Sequence, residues 1–353
     1  MLKRHKIKKP LLKDVAEKAG LSVAAVSQIL NDRAVNFCSE EKKAKVKALA
    51  VEMNYQPNFG YQLLHGIKTN TVGIICSTKS AENEEHIQAL QVKLMGKIEQ
   101  KNYSTYVSTM TDDEERNVNT VSNLASRGCS AFIFIGTPVG FRKIEDLVIS
   151  SSLNYIAFRA PSFRRNISID KGWVTKEYIG YLKEKGKTDF ICVGDDLSEH
   201  HTNFSRGIYE SFPGEGPEQL LAKYYCHTDK TVIFTSGFAK QWHERGFNTT
   251  KTLMRERPGT QAFIYANDYL AIGGAYAILE AGLTPGKDIL IRGYNNTNAV
   301  CFFPYPISSV DNGIEQICDV LLENFFTDGV LDIVIKPQLI IRDFKPLEPV
   351  RPE

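Results

Sequence analysis

The strongest constraint on how this chain folds is the string from Pro10 to Asn31, whose apolar spacing is helical, breaks at one glycine and then resumes. Leu12, Val15, Ala16 and Ala19 fall at the spacings of one helix face, and Gly20 follows where a left-handed residue ends a helix. Ser22 then offers a hydroxyl to cap a second helix, Val23 to Leu30. That helix turns Val26, Ile29 and Leu30 inward and Val23, Ala24, Ser27 and Gln28 outward. Two short helices joined by a turn of about three residues containing Gly form the helix-turn-helix arrangement, whose second helix fits a DNA major groove. A third amphipathic helix opens at Ser39, with Glu40 and Glu41 in its first turn and Val46, Leu49, Ala50 and Met53 on its packing face. Three helices close a small core.

Charge points the same way. Residues 1–70 hold 13 lysines and arginines against 6 acidic residues, whereas the other 283 hold 30 against 35. A compact basic head on a mildly acidic body suggests a polyanion partner for the head alone. The opening segment, with Lys3, Arg4, Lys6, Lys8 and Lys9, has no apolar stretch after it. It therefore reads as a phosphate-seeking arm or a solvated tail, not as a secretory signal. No apolar run approaches the roughly 18 residues of a bilayer span. The seven cysteines contain no C-x-x-C. The expectation is a soluble, cytoplasmic, nucleoid-associated protein with buried free thiols and no membrane contact.

Beyond Thr71 strand and helix alternate. Apolar runs at 72–76, 105–107, 131–135, 155–158, 190–193, 232–234, 262–265 and 289–291 are separated by helical stretches such as 87–98 and 176–185. This is the pattern of parallel βαβ units with helices on both faces, and two Rossmann-like lobes fit the length. Each lobe would bring its strand ends to a shared crevice where a ligand binds. Phosphate-loop, dinucleotide, nucleophile-elbow and zinc-protease motifs are all lacking, so neither an enzyme nor a cofactor is expected. His200 and His201 point about 100° apart on a helix and make a poor metal pair, and Cys226-His227 lacks further partners, so no metal site is expected.

The string Pro10 to Asn31, followed by Asn54-Tyr-Gln-Pro-Asn58, is similar to the head of the lactose/galactose repressor (LacI/GalR) family of bacterial transcription regulators. The resemblance continues through Asn70-Thr-Val-Gly-Ile-Ile, Ala266-Asn-Asp-Tyr-Leu-Ala-Ile-Gly-Gly-Ala, Gly282-Leu-Thr-Pro-Gly-Lys-Asp-Ile-Leu-Ile-Arg-Gly-Tyr-Asn-Asn and Pro306-Ile-Ser-Ser-Val. It implies an all-α, lambda-repressor-like helix-turn-helix DNA-binding domain at 1–57 and a hinge helix and linker at 58–70. It also implies a two-lobed α/β core of the periplasmic-binding-protein-like type I at 71–344, with Rossmann-like parallel sheets, which binds an effector and dimerises. A tail follows at 345–353.

Carried over position by position, the resemblance puts Val23, Ala24 and Gln28 against bases. Gln28 stands where the family often has Arg, which favours adenine over guanine, and Val23 and Ala24 suit thymine methyls. Ser22, Ser27, Asn31, Lys42 and Lys43 fall at phosphate-contacting positions. The segment Asn58 to Gly66 resembles the hinge helix that forms when two copies meet in the minor groove, with Leu64 as the wedge between bases. Three departures are visible: Leu11 replaces a Thr or Ser cap, the turn before Cys38 is about two residues long relative to the pattern, and Tyr61 replaces a hinge Ala.

In the crevice the resemblance places Asn267 and Asp268 after a strand. Asn267 is open between a ligand-hydroxyl contact and a turn cap, as is Asn295, which replaces an Asp of sugar-binding relatives. Phe204 stands where those relatives have Arg, with Arg206 nearby at another helical angle. Trp242 reads as core or as a surface for ring stacking. A pocket with Phe and Asn in place of Arg and Asp is less suited to a simple sugar, and is more apolar or has lost its ligand. The whole implies a homodimeric repressor on a pseudo-palindromic operator, its partners being double-stranded DNA and a small-molecule effector, a sugar or other metabolite. The alternatives are a sugar-like ligand receptor using only the body, and an α/β enzyme with a helical appendage.

Overall fold

The computed structural model describes residues 10–30, 38–55, 69–77, 85–194, 198–227 and 238–344. The expectations on the arm at 1–9, Asn31, the turn at 32–37, the hinge with Asn58, Tyr61 and Leu64, the strand at 232–234 and the tail lie outside these residues. Internal contacts divide the chain into two compact units, Met1–Thr69 and Asn70–Glu353.

The head is built from α1 (Leu12–Ala19), α2 (Val23–Leu30) and α3 (Glu40–Glu52). Val15, Ala16, Val26, Ile29, Val46 and Ala50 are buried together, with Leu12, Leu21, Leu30, Met53 and Tyr55 around them. Gly20 adopts φ 67°, ψ 34°, and the Leu21 amide reaches back to the Ala16 carbonyl at 3.1 Å. A residue with a Cβ is disfavoured in that conformation, which is why the turn needs glycine. Each helix start is closed by a side chain. Ser22 Oγ accepts from the Ala25 amide at 3.1 Å, and Ser39 Oγ from the Lys42 amide at 3.4 Å. At α1 Leu11 has no hydroxyl to offer. Asp14 Oδ2 instead accepts the Leu11 amide at 2.7 Å, half of a capping box that firms the start the sequence left weak.

The first lobe of the core is a parallel sheet of β1 (Thr71–Ser77), β2 (Ser104–Met110), β3 (Ala131–Ile135), β4 (Asn154–Phe158), β5 (Arg165–Ile169) and β11 (Leu331–Ile335), ordered β11-β5-β4-β3-β1-β2. Against one face lie α4 (Glu85–Gln100) and α13 (Ile314–Asn324), which bury Leu90, Leu94, Ile317 and Leu321 on Ile74, Ile133 and Ile156. Against the other lie α5 (Glu114–Ser126) and α6 (Phe141–Ser150), with Val121 and Val148 on Ile75 and Phe134. Covered on both sides, β3 is apolar at every position, as a central parallel strand must be.

The second lobe carries β6 (Phe190–Gly194), β7 (Tyr225–His227), β8 (Ala262–Tyr265) and β9 (Leu290–Arg292), parallel and ordered β7-β6-β8-β9. Its helices are α7 (Lys171–Glu184), α8 (Ser198–Ser211), α9 (Pro217–Tyr224), α10 (Phe238–Glu256), α11 (Asp268–Glu280) and α12 (Asn298–Cys301). The chain crosses between lobes before α7 and again through the antiparallel ribbon of β10 (Ser309–Asp311) and β12 (Gln338–Ile340). Val174, Tyr294 and Val310 pack together there, with Trp173 and Leu339 against them.

Two differences from the sequence reading have physical causes. Strand β5 opens with Arg165 and shows no apolar run, yet it is buried. The Arg165 guanidinium satisfies the carbonyls of Tyr155, Gly329 and Asn324 at 3.0, 2.8 and 2.7 Å and Thr327 Oγ1 at 2.8 Å. The helix expected at 176–185 begins at Lys171, because Asp170 Oδ1 accepts the Trp173 amide at 2.9 Å and caps an earlier turn.

Helices α10 and α11 approach closely enough that a Cβ at Gly273 would overlap the His243 carbonyl oxygen, and one at Gly246 the Leu270 carbonyl oxygen. Backbone cannot rotate out of the way. Gly273→Ala is expected to destabilise the core by about 3 kcal/mol, read as a lower denaturation midpoint. An unchanged midpoint would contradict this packing.

Candidate nucleic-acid interface and effector crevice

One side of α2 is fastened to the head core through Val26 and Ile29, and the other side is open. Val23 is 46% exposed, and Ala24 and Gln28 are exposed beside it. Ser27 is half-buried on the same helix. Ser22 is exposed. Its Oγ lone pair is used on the Ala25 amide, which leaves the hydroxyl hydrogen to donate. Lys42 is exposed on α3, while Lys43 Nζ lies 2.6 Å from Glu40 Oε1. Lys18 and Glu52 join α1 to α3 at 2.7 Å. The head thus presents small and amide side chains on a helix that its core and caps hold in place. A side-chain set of this size and polarity on a fixed helix can meet groove edges with little reorganisation.

In the core, the carboxyl ends of the strands carry the crevice residues. Asn267 takes the capping alternative: its Oδ1 accepts the Leu270 amide at 2.9 Å at the start of α11. Asp268, expected to face a ligand, is instead 1% exposed and closed on the chain's own donors. Oδ1 accepts from Ser309 Oγ at 2.6 Å and Oδ2 from the Thr297 amide at 2.7 Å. Burial pushes its carboxyl up to about 6, less than burial alone would because those donors favour the charged form. Asn295 sits at φ 95°, donates its amide to the Val310 carbonyl at 3.1 Å and accepts from Asn312 Nδ2 at 3.1 Å.

Phe204 and Trp242 lie in the second-lobe core at 5% and 8% exposure, so Trp242 takes the core alternative. The Phe204 ring faces the Arg292 guanidinium with its centroid 5.9 Å away, and the Trp242 ring faces Arg245 at 5.2 Å. Arg206 is exposed and pairs with Asp170, the residue that caps α7.

Two functional candidates escaped the sequence reading. Glu85, in the first turn of α4, bridges the lobes: it accepts from Tyr269 Oη and from Asn298 Nδ2, both at 3.2 Å. Burial and the Glu85 charge together raise the Tyr269 phenol above its ordinary value. Nothing local marks Glu85. Arg292 is fully buried at the end of β9, and its signal was visible: a charge inside the apolar string Ile289-Leu-Ile-Arg292.

Among the described residues no group of three His, Cys, Asp or Glu is placed to hold a metal, and no helix is long and apolar enough to cross a membrane. The side chains of His200, His201 and His227 lie outside those residues. Cys76, Cys129, Cys192 and Cys318 are buried, but Cys38 and Cys226 are half-buried and Cys301 is exposed. The expectation of buried thiols therefore needs correction at three positions.

The profile of bacterial regulatory proteins of the lacI family matches residues 11–58, and that of the periplasmic binding protein-like domain matches residues 179–327. The catabolite control protein A of Staphylococcus xylosus is 27% identical over 334 residues, covering 93% of this chain and 95% of that protein. The protein of the same name from Staphylococcus epidermidis is 25% identical over 325 residues, covering 90% and 93%. Among solved structures, the lac repressor dimer bound to operator and the anti-inducer ONPF matches with a TM-score of 0.70 at 21% identity, covering 95% of this chain and 99% of that one. A complex of the transcriptional regulator CelR with cellobiose matches with a TM-score of 0.59 at 16% identity, covering 95% and 99%. At these identities the two structures speak for the fold.

The Asp268 carboxyl also sets a pH dependence. Its folded value of about 6 lies above the value of about 4 in an unfolded chain, so the folded form holds the extra proton. The stability linked to that proton is fully present below about pH 4 and is lost as pH rises through about 6. Relative to wild type, Asp268→Asn is expected to gain up to about 3 kcal/mol between those limits, measured by urea denaturation at a series of pH values. A difference independent of pH would remove Asp268 from this role.

Proposed function

We propose that this chain, whose head matches the profile of bacterial regulatory proteins of the lacI family and whose core matches that of the periplasmic binding protein-like domain, is a DNA-binding transcription regulator that acts as a repressor. Two copies set their α2 helices into successive major grooves of a pseudo-palindromic operator, and a small molecule in the crevice between the lobes alters how tightly they hold. The observation that carries this reading is the open face of α2, with Val23, Ala24 and Gln28 exposed opposite a buried seam.

In this reading Gln28 makes a bidentate pair with adenine, and Val23 and Ala24 lie on thymine methyls. Ser22, Ser27, Asn31, Lys42 and Lys43 fix the register through phosphates, with Lys43 exchanging Glu40 for a phosphate oxygen. The stretch from Asn58, with Leu64 as wedge, acts as the paired hinge that the resemblance implies. The Glu85 bridge gives the crevice a means of coupling. A ligand that alters lobe closure makes or breaks the bonds to Tyr269 and Asn298, and so favours one arrangement of the core over another. Proteins of the same fold are solved in complex with ONPF and with cellobiose, which supports a small-molecule ligand for this chain.

The test is a pair of head variants on operators selected from genomic DNA. Gln28→Arg is expected to move preference from adenine to guanine at one position in each half-site, by about 1–3 kcal/mol. Lys42→Ala is expected to weaken every sequence alike and to lower the slope of log affinity against log salt by about one. If both variants merely weaken all sequences equally, the docking of α2 is wrong.

A further inference from the structure

Several exposed apolar side chains of the core lie on one face that crosses both lobes. On the first lobe this face follows the outer side of α4, where Val92 is 70% exposed and Ala89 is exposed beside it. A Cβ built on Gly96 would meet nothing, so that point of the helix is uncovered. The residues at 85, 89, 93 and 97 and those at 88, 92, 96 and 100 make two ridges along the helix. A shallow groove of about 830 Å³ runs between them, deepened where Ala89 and Gly96 are small. Val107 of the edge strand β2, which pairs with Ile74 on the sheet face that α4 covers, is exposed as well.

The face continues onto the second lobe. Glu85, which lines the groove, accepts from Asn298 at the start of α12. One turn further, just past the end of α12, Phe302 is 86% exposed. The ring of the neighbouring Phe303 meets that of Tyr276 on α11 edge-on at 5.5 Å, and Tyr276 is exposed too. Charges stand at the margins in pairs: Lys93 with Glu315, Lys97 with Asp319, and Lys251 with Glu280 at 2.8 Å. An apolar centre inside a polar rim is the anatomy of a protein interface, and a contiguous patch of this kind on a lone chain marks an interaction site.

Shape and charge both select a second copy of this chain as the occupant. The ridge that fits the groove of α4 is one the same helix presents, since rows four residues apart supply both. A two-fold axis sets a residue near it against itself, so a charge there opposes pairing. The middle of α4 offers Ala89, Val92 and Gly96 instead. Its ends differ in sign, with Glu85 at the start and Lys101 just past Gln100, and an antiparallel copy brings the two together. We propose that two copies pair through this face, with α4 antiparallel to its copy, Val92 near the axis and Phe302 buried against the partner. The proposal rests on two copies acting together on an operator, as argued above, and it names the surface through which they meet.

Sedimentation velocity of the full chain tests this, with far-ultraviolet circular dichroism to check folding. The altered side chains are exposed, so the fold is expected to stay intact. Wild type is expected to pair at micromolar concentration or below, and Val92→Glu, Val92→Lys and Phe302→Asp each to weaken pairing at least about tenfold. An equimolar mixture of the Val92→Glu and Val92→Lys chains is expected to recover pairing, because opposite charges then meet across the axis. Cys301, exposed and next to Phe302, is expected to lose reactivity toward a maleimide as concentration rises through the pairing range, whereas Cys38 on the head keeps its rate. The proposal is overturned by a chain that stays single up to about 0.1 mM, which leaves the face to another protein. It is equally overturned by pairing that neither position affects, by a mixture that pairs no better than its components, or by Cys301 reactivity that ignores concentration. Operator binding by the same preparations separates the two readings. Wild type that binds operator and pairs regardless of Val92 and Phe302 overturns this inference alone, and wild type that binds no operator overturns the regulator reading.

Discussion

A buried carboxylate, with the Asn295–Val310 bond beside it, fastens the second lobe to the ribbon that leads back to the first. Asp268 opens α11, holds the Thr297 amide of the loop before α12, and accepts from Ser309 at the start of β10. Three segments that are distant in sequence meet on two oxygens. Desolvation opposes the charge and the two donors support it, so the clasp is strong only while both partners stay in place. The crevice edge formed by Gly293, Tyr294 and Asn295 inherits its position from this arrangement, since the Asp268 amide also donates to the Tyr294 carbonyl at 3.1 Å.

The head solves a different problem. Three short helices enclose a core too small to rely on burial alone, and local closures supplement it: Asp14 at α1, Ser22 at α2, Ser39 at α3, and the Lys18–Glu52 pair between α1 and α3. Those closures leave Val23, Ala24 and Gln28 exposed on the outer face of α2. Side chains there are free to be chosen for what they meet in a groove.

Two of the buried charges of the core are held under opposite terms. Asp268 is matched by donors and serves architecture, whereas Arg292 is ringed by aromatic side chains and poorly bonded. Between the lobes Glu85 spans to Tyr269 and Asn298. The contact between the lobes at this point therefore rests on two hydrogen bonds to one carboxylate.

The amino-acid sequence by itself determined the helix-turn-helix, down to Gly20 and both serine caps, and the parallel order of strand and helix that builds the lobes. These signals are local: the spacing of apolar residues, a residue that tolerates positive φ, a hydroxyl before a helix. Strand β5 was illegible because Arg165 is satisfied by carbonyls more than 150 positions away in the chain as well as by its strand neighbour. The roles of Asn267, Asn295 and Trp242 stayed open, and Asp268 and Phe204 were placed at the effector site, for the same reason, and Glu85 gave no sign at all. Only the tertiary structure decided which of these side chains cap, clasp or fill the core, because burial and hydrogen-bond partners are set by segments that meet through folding rather than along the chain.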